Sequence, residues 1–345
     1  MSSVAIVFTG GTISMRHDPI AGGNIPVLSG TDLLATVPGI EAIATLVPID
    51  HGLTPASHFT FGGLFELWDI IRGARDDAEV VGAVVVQGTD TIEETAFFFD
   101  LLHAGPKPVV VTGAMRAASD PDYDGPANLR DAVRVAASPA ARGAGVVVVL
   151  AGSIEPADDV TKTHASAFDT FKSLNSGSLG RIEGDEVRLV RPRGPRRHVA
   201  ATKAAARVRL VVATVAADGV EIDALRAAGA DGFVVAATGA GNTSPVLLAA
   251  AERAMGDGLP VILTTRSPAG AASAAYAFPG GGATWVRAGA ILSGHLGGPK
   301  ARVALALGLG AGLDRAGLAA LLADPVDPTD PAGPDGPANP TDPRS

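Results

Sequence analysis

Thr12 stands directly after the run Val4-Ala5-Ile6-Val7-Phe8-Thr9-Gly10-Gly11. A β-branched strand there ends on two glycines, which allow a sharp turn and a close backbone approach to a ligand. A threonine just past such a turn can act as a nucleophile; it can also be a plain turn residue or a helix cap. A second run, Ala83-Val84-Val85-Val86-Gln87-Gly88-Thr89-Asp90, repeats the arrangement. The chain thus twice puts small hydroxyls at the carboxyl end of a strand, where open α/β sheets bind ligands. Gly11 and Gly88 are the positions at which backbone would meet that ligand. The chemistry that suits such a site is covalent catalysis by a hydroxyl, which needs a neighbouring group to take its proton.

The elements that must hold these residues are legible as apolar runs. Val4–Phe8, Val80–Val86, Val109–Thr112, Val146–Leu150, Leu210–Ala216, Gly232–Ala237 and Val261–Thr265 read as strands. Their hydrophobicity is continuous, as in a parallel sheet covered on both faces. Thr60–Ala74, Thr91–Leu102, Ala127–Ala137 and Pro245–Met255 read as helices between them. This alternation argues α/β layers. Thr91-Ile92-Glu93-Glu94 has the spacing of a capping box. Its helix would then aim N–H groups at the site and favour a carboxylate there. Gly308–Gly312 follows a helix-like run and reads as a turn.

The two runs resemble the signature motifs of the bacterial-type L-asparaginase family. Thr9-Gly10-Gly11-Thr12-Ile13 matches the first motif, and Gly88-Thr89-Asp90-Thr91 with its acidic pair matches the second. Asp159-Val160-Thr161-Lys162-Thr163 is similar to the family's lysine motif. The likeness continues through Phe171-Lys172-Ser173, Asp231-Gly232-Phe233, Gly239-Ala240-Gly241-Asn242 and Pro299-Lys300-Ala301-Arg302. It covers the chain to about residue 323 in matching order.

The resemblance implies hydrolysis of a side-chain amide, L-asparagine to L-aspartate and ammonia, through an acyl-enzyme on Thr12. It implies that Thr89, Lys162 and Asp90 form a triad beside that threonine. Lys162 would serve as base if its surroundings favour the neutral amine, and Asp90 would hold it or grip the substrate's α-amino group. Lys162 can also be an ordinary surface lysine, although it is one of only five lysines against 22 arginines. Ser57 and His58 resemble a substrate-carboxylate segment, His58 also being readable as a structural histidine. Ala114 matches a position that meets the substrate amide through its carbonyl. Asn242 matches a residue offered across a subunit interface, and family members form homotetramers built from dimers.

Two departures accompany the likeness. The stretch Arg16–Pro26, expected as a glycine-rich mobile lid, lacks the tyrosine that many members carry, and His17 is a candidate to replace it. The acidic residue often lent by a neighbouring subunit falls here on Ser273–Phe278, which holds no acid; Tyr276 is the candidate substitute.

Composition narrows the rest. A chain of 345 residues suggests roughly two domains. A net charge of −9 argues against a nucleic-acid binder. With no cysteine, thiolate metal sites, disulfides and cysteine nucleophiles are excluded. The histidines show no metal spacing, and neither metal nor cofactor is implied. There is no P-loop, no Gly-x-Ser-x-Gly and no His-Glu-x-x-His. No signal peptide and no apolar run of spanning length is visible, so the expectation is a cytoplasmic protein without membrane contact.

The resulting expectation is an α/β protein of two domains, each a mainly parallel sheet flanked by helices. Residues 1–190 form the larger, catalytic domain, 191–208 a solvated basic linker, 209–323 the second domain and 324–345 a disordered Pro/Asp-rich tail. Alternatives remain open: a mixed glutaminase-asparaginase, an amidotransferase subunit sharing these motifs, and a catalytically silent amino-acid sensor on the same fold.

Overall fold

The structure, a computed structural model, describes residues 2–325. The chain opens with β1 (Ser3–Phe8), a hairpin of β2 (Met15–Asp18) and β3 (Gly23–Pro26), α1 (Gly30–Ala35) and β4 (Thr45–Asp50). Then come α2 (Phe61–Asp76), β5 (Val80–Val86), α3 (Ile92–Leu102), β6 (Val109–Thr112), α4 (Gly125–Ala137) and β7 (Val146–Leu150). Five short strands complete the first domain: β8 (Ser153–Pro156), β9 (Val160–Lys162), β10 (Phe171–Ser173), β11 (Gly180–Glu183) and β12 (Glu186–Leu189). The second domain runs β13 (Val208–Val212), α5 (Val220–Ala227), β14 (Gly232–Ala237), α6 (Pro245–Gly256), β15 (Val261–Thr265), α7 (Gly282–Ala288), β16 (Ile291–Leu292), α8 (Gly298–Gly310) and α9 (Arg315–Leu322).

The larger sheet has the order β12-β11-β8-β7-β6-β5-β1-β4, parallel from β7 to β4 and antiparallel beyond β7. The second sheet, β13-β14-β15-β16, is parallel throughout. Both are covered on two faces, which is why their strands read as unbroken apolar runs. On one face of the large sheet α4 packs so closely that a Cβ on Gly82 would lie 2.2 Å from the Ala136 carbonyl oxygen. On the other face the chain concentrates its few aromatics. Phe98 meets Phe65 edge-on at 5.0 Å, and Trp68 stacks on Phe99 at 5.7 Å. The same core continues through α8 into the second domain, so one apolar body joins the two sheets.

Several expectations need correction. β4 escapes detection because Pro48 interrupts its pattern; the strand lies at the sheet edge, where a missing N–H is tolerated. β13 ends at Val212, four residues short of the expected Ala216, which instead takes a positive φ of 64°. Gly308–Gly310 belongs to α8 rather than to a turn. Gly308 lets α9 pack closely there: an added Cβ would stand 2.6 Å from the end of the Leu318 side chain, which would have to shift.

The basic stretch at 191–208 exposes many of its residues, as expected, but two of its arginines are not solvated. Arg193 donates to Asp100 at 3.0 Å and to Asp158 at 2.9 Å, and Arg196 to Asp100 at 2.7 Å. The Arg193 side chain is only 6% exposed and that of Asp100 2%. Buried charges persist only when paired and hydrogen-bonded, and Asp100 also accepts from the Val146 N–H. Of the tail, 326–345 lies outside the described residues. Asp324 is inside them, accepting from Arg197 at 2.8 Å and from the His295 N–H at 3.0 Å.

His103, at the end of α3, is buried against Trp68 with its Nδ1 facing the Arg75 guanidinium. Burial first, then Arg75, pulls its pKa from 6.5 down to about 3. The unfolded chain therefore binds a proton below pH 6.5 that the folded chain refuses. His103 stabilisation is complete above pH 6.5 and is lost as pH falls toward 3, at up to about 1.4 kcal/mol per pH unit. His103→Gln, which keeps an acceptor for Arg75, is expected to flatten that part of the stability–pH curve in denaturant titrations.

Candidate active site

Parallel pairing of β1 with β5 sets the site. Phe8 lies opposite Val86, and the Thr9 N–H donates to the Val86 carbonyl at 2.9 Å. The two strands therefore end side by side, and both motif turns leave from the same edge. Gly10 and Gly11 take φ of 97° and 93°, conformations that disfavour any side chain. Gly11 sits directly on Gly88: an added Cβ would lie 2.1 Å from the Gly88 nitrogen and 2.3 Å from its Cα. This backbone contact brings half-buried Thr12 beside the turn that carries Thr89 and Asp90. Gly11→Ala is expected to cut activity at least about 100-fold, because a misplacement of about 1 Å at a reacting group has that effect. Gly22→Ala, also at positive φ but in open space, is the control that separates contact from strain.

Lys162 enters from β9. Its Nζ donates to Thr89 Oγ1 at 2.9 Å and to Asp90 Oδ1 at 3.0 Å. The lysine side chain is 16% exposed, whereas Asp90 is 71% exposed and free to face a ligand. The third strand contributes through Gly113, where a Cβ would lie 2.4 Å from the Gln87 carbonyl oxygen and 3.2 Å from Thr89 Cγ2. Ala114 follows, fully buried. Asp124 organises this loop by accepting from the Met115 and Arg116 N–H groups and from Asn128.

Ser57 and His58 are exposed on a short 3-10 turn, Ala56–His58. The expected capping box at Thr91 is absent. The Thr91 hydroxyl donates instead to the Ala56 carbonyl at 3.2 Å, which ties the Ser57 segment to the start of α3. Glu93 turns away to accept from the Lys162 N–H at 3.1 Å. Glu94 pairs with Arg302 at 3.7 Å, burial holding its carboxyl above the ordinary range against that arginine.

Thr12, Thr89, Asp90, Lys162, Gly11, Gly88, Ser57, His58 and Ala114 thus share one sheet edge. Asn242 and Tyr276 do not join them by any hydrogen bond among the described residues. Both lie on loops of the second domain, Tyr276 at 46% exposure, and Asn242 with its Oδ1 buried and unpartnered. The Arg16–Pro26 stretch forms the β2–β3 hairpin, with His17 exposed and its N–H on Ser119 Oγ at 3.1 Å. The tyrosine that does reach the Thr12 turn is Tyr123, whose hydroxyl donates to the Ile13 carbonyl at 2.7 Å. Nothing in the spacing marks Tyr123, since the contact crosses 110 residues. Glu93 and Lys300 were visible only as parts of longer motifs. Among the described residues no helix is long and apolar enough to cross a membrane.

Comparison with known proteins shows the family of the chain. Residues 3–194 match the family model described as asparaginase, N-terminal, and residues 207–322 match the glutaminase/asparaginase C-terminal domain. A probable L-asparaginase of Deinococcus radiodurans is 38% identical over 319 residues, 90% of this chain and 94% of that protein. An L-asparaginase of Bacillus licheniformis is 34% identical over 304 residues, covering 88% and 94%. The crystal structure of a probable cytoplasmic L-asparaginase from Campylobacter jejuni superposes with a TM-score of 0.83 at 28% identity, covering 93% of this chain and 99% of that one. With both of its sheets and nearly all of its length accounted for in this way, the chain belongs to the asparaginase family.

Proposed function

We propose that this protein hydrolyses the side-chain amide of L-asparagine to L-aspartate and ammonia, with Thr12 as the nucleophile. The observation that carries the reading is the Gly11–Gly88 contact, which sets the Thr12 turn against a threonine already bonded to a lysine. Thr12 Oγ1 attacks the amide carbon and gives up its proton through Thr89 to the Lys162–Asp90 pair. The carbon–nitrogen bond breaks, the leaving group takes that proton as ammonia, and an ester to Thr12 remains. Water, deprotonated by the same pair, then releases aspartate and restores the threonine. Exposed Asp90 grips the α-amino group and Ser57 the α-carboxylate, with the first-turn N–H groups of α3 assisting.

Cytoplasmic location and a homotetramer built from dimers belong to the same reading. Support for assembly comes from adjoining segments of the second domain, two loops and the first turn of α6, that expose Val215 at 95%, Phe278 at 50% and Val246 at 56%. Ser244 bonded to Ala217 and Thr243 bonded to Gly280 join those loops into one region. Asn242, with its unpartnered Oδ1, lies in it.

Ammonia release from L-asparagine and L-glutamine, measured in parallel, tests the activity. One methylene is worth about 1–3 kcal/mol of discrimination. The expected result is faster turnover of asparagine. Comparable rates on both would make the protein a mixed glutaminase-asparaginase, and silence on both would favour a sensor.

A further inference from the structure

The lysine that bonds Thr89 sits on an unpromising support. β9 has three residues and, among the described residues, pairs only with β10, through Phe171–Lys162, Lys172–Thr161 and Ser173–Val160. Two-stranded pairings of this size are marginal on their own. Yet the Lys162 ammonium must arrive within 2.9 Å of one hydroxyl. Something outside the ribbon has to fix its register.

Among the described residues, two side chains from outside the ribbon bond directly to the β9 backbone. Glu93, on the first turn of α3, accepts from the Lys162 backbone N–H at 3.1 Å. Lys300, on the first turn of α8 in the second domain, donates to the Val160 carbonyl. Lys300 is only 4% exposed, and it occupies a helix N-terminus, where the dipole disfavours a cation. A lysine there carries a double electrostatic cost. Glu93, Asp159, Asp158 and Glu94 offset it with their negative charge. An apolar residue would avoid that cost but could not hold a carbonyl.

We propose that Lys300 and Glu93 are positioning residues that grip β9 from two sides, so that the second domain sets the reach of Lys162 toward Thr89. Glu93 binds the strand to the helix that begins just after Thr89 and Asp90. Lys300 binds it to the helix that packs on α3. The inference rests on Lys162 acting in the proposed amide hydrolysis, but the grip itself is a property of the strand and can be read without turnover.

The test uses the full chain and four variants: Lys300→Met, Glu93→Ala, Glu93→Gln and the double variant Lys300→Met/Glu93→Gln. Ammonia release gives kcat and KM, and amide hydrogen exchange follows the Lys162 N–H. Lys300→Met and Glu93→Ala are expected to lower kcat by about 10- to 100-fold with KM within about twofold, and to speed exchange at Lys162. Glu93→Gln keeps an acceptor oxygen and is expected to stay close to wild type in both readouts. The double variant removes both charges together and is expected to remain as slow as Lys300→Met. Recovery of wild-type kcat in the double variant would overturn the proposal in favour of simple charge balance. So would folded Lys300→Met and Glu93→Ala proteins with wild-type kcat and exchange. Should Lys300→Met fail to fold, the Glu93→Ala and Glu93→Gln pair decides by the same criteria. A wild-type protein silent on amides, whose Lys162 exchange still responds to both substitutions, would sink the amidase reading and leave the grip standing.

Discussion

Thr12→Ala is expected to lower kcat for asparagine by on the order of 10⁴- to 10⁶-fold, the range seen when a covalent nucleophile is removed. Its fold should be unchanged, because the turn is held by other atoms. Ser14 bonds back to the Gly11 carbonyl at 2.8 Å, Tyr123 holds the Ile13 carbonyl, and the Thr9 hydroxyl holds Val86. None of these uses the Thr12 side chain. Thr12→Ser keeps the hydroxyl and should retain measurable turnover. Steady-state kinetics with thermal denaturation as the folding control check both. A Thr12→Ala protein retaining a tenth of the wild-type rate would remove Thr12 from the nucleophile's role.

Lys162→Met is expected to lower kcat by about 10³-fold, within the 10²- to 10⁴-fold range of a positioned acid–base group. Methionine preserves the length and apolar stem of the side chain but cannot accept or return a proton. Thr89 would lose the one partner among the described residues that polarises its hydroxyl. Asp90→Asn provides the contrast. Asp90 is exposed and accepts one of the two hydrogen bonds that Lys162 Nζ makes among the described residues, so its loss should fall mainly on KM if it grips the α-amino group. A kcat split between Lys162→Met and Asp90→Asn therefore separates proton transfer from substrate grip. Equal losses of kcat in both would mean that the lysine–aspartate pair acts as a unit.

The parts legible in the sequence share a physical cause. Strands such as Val80–Val86 and Val146–Leu150 are buried on both faces, so their apolar runs mark them end to end. Thr12 and Thr89 were visible because a glycine turn after such a run is local. Contacts that join distant segments were not. The Thr91–Glu94 spacing suits a capping box, yet the hydroxyl finds Ala56 and the carboxylate finds Arg302, partners that no local pattern contains. The basic stretch near Arg193 reads as solvated because Asp100 and Asp158 lie far away in sequence. The bonds of Glu93 and Lys300 were hidden for the same reason: each goes to the backbone of β9, and backbone groups leave no signature in the residue types.

The most direct test of the central claim is mass spectrometry of enzyme quenched in acid during turnover of asparagine. The account predicts an aspartyl ester on the peptide containing Thr12, absent in Thr12→Ala and cleared when substrate is exhausted. The same ester found on Thr89, with Thr12 unmodified, would contradict it.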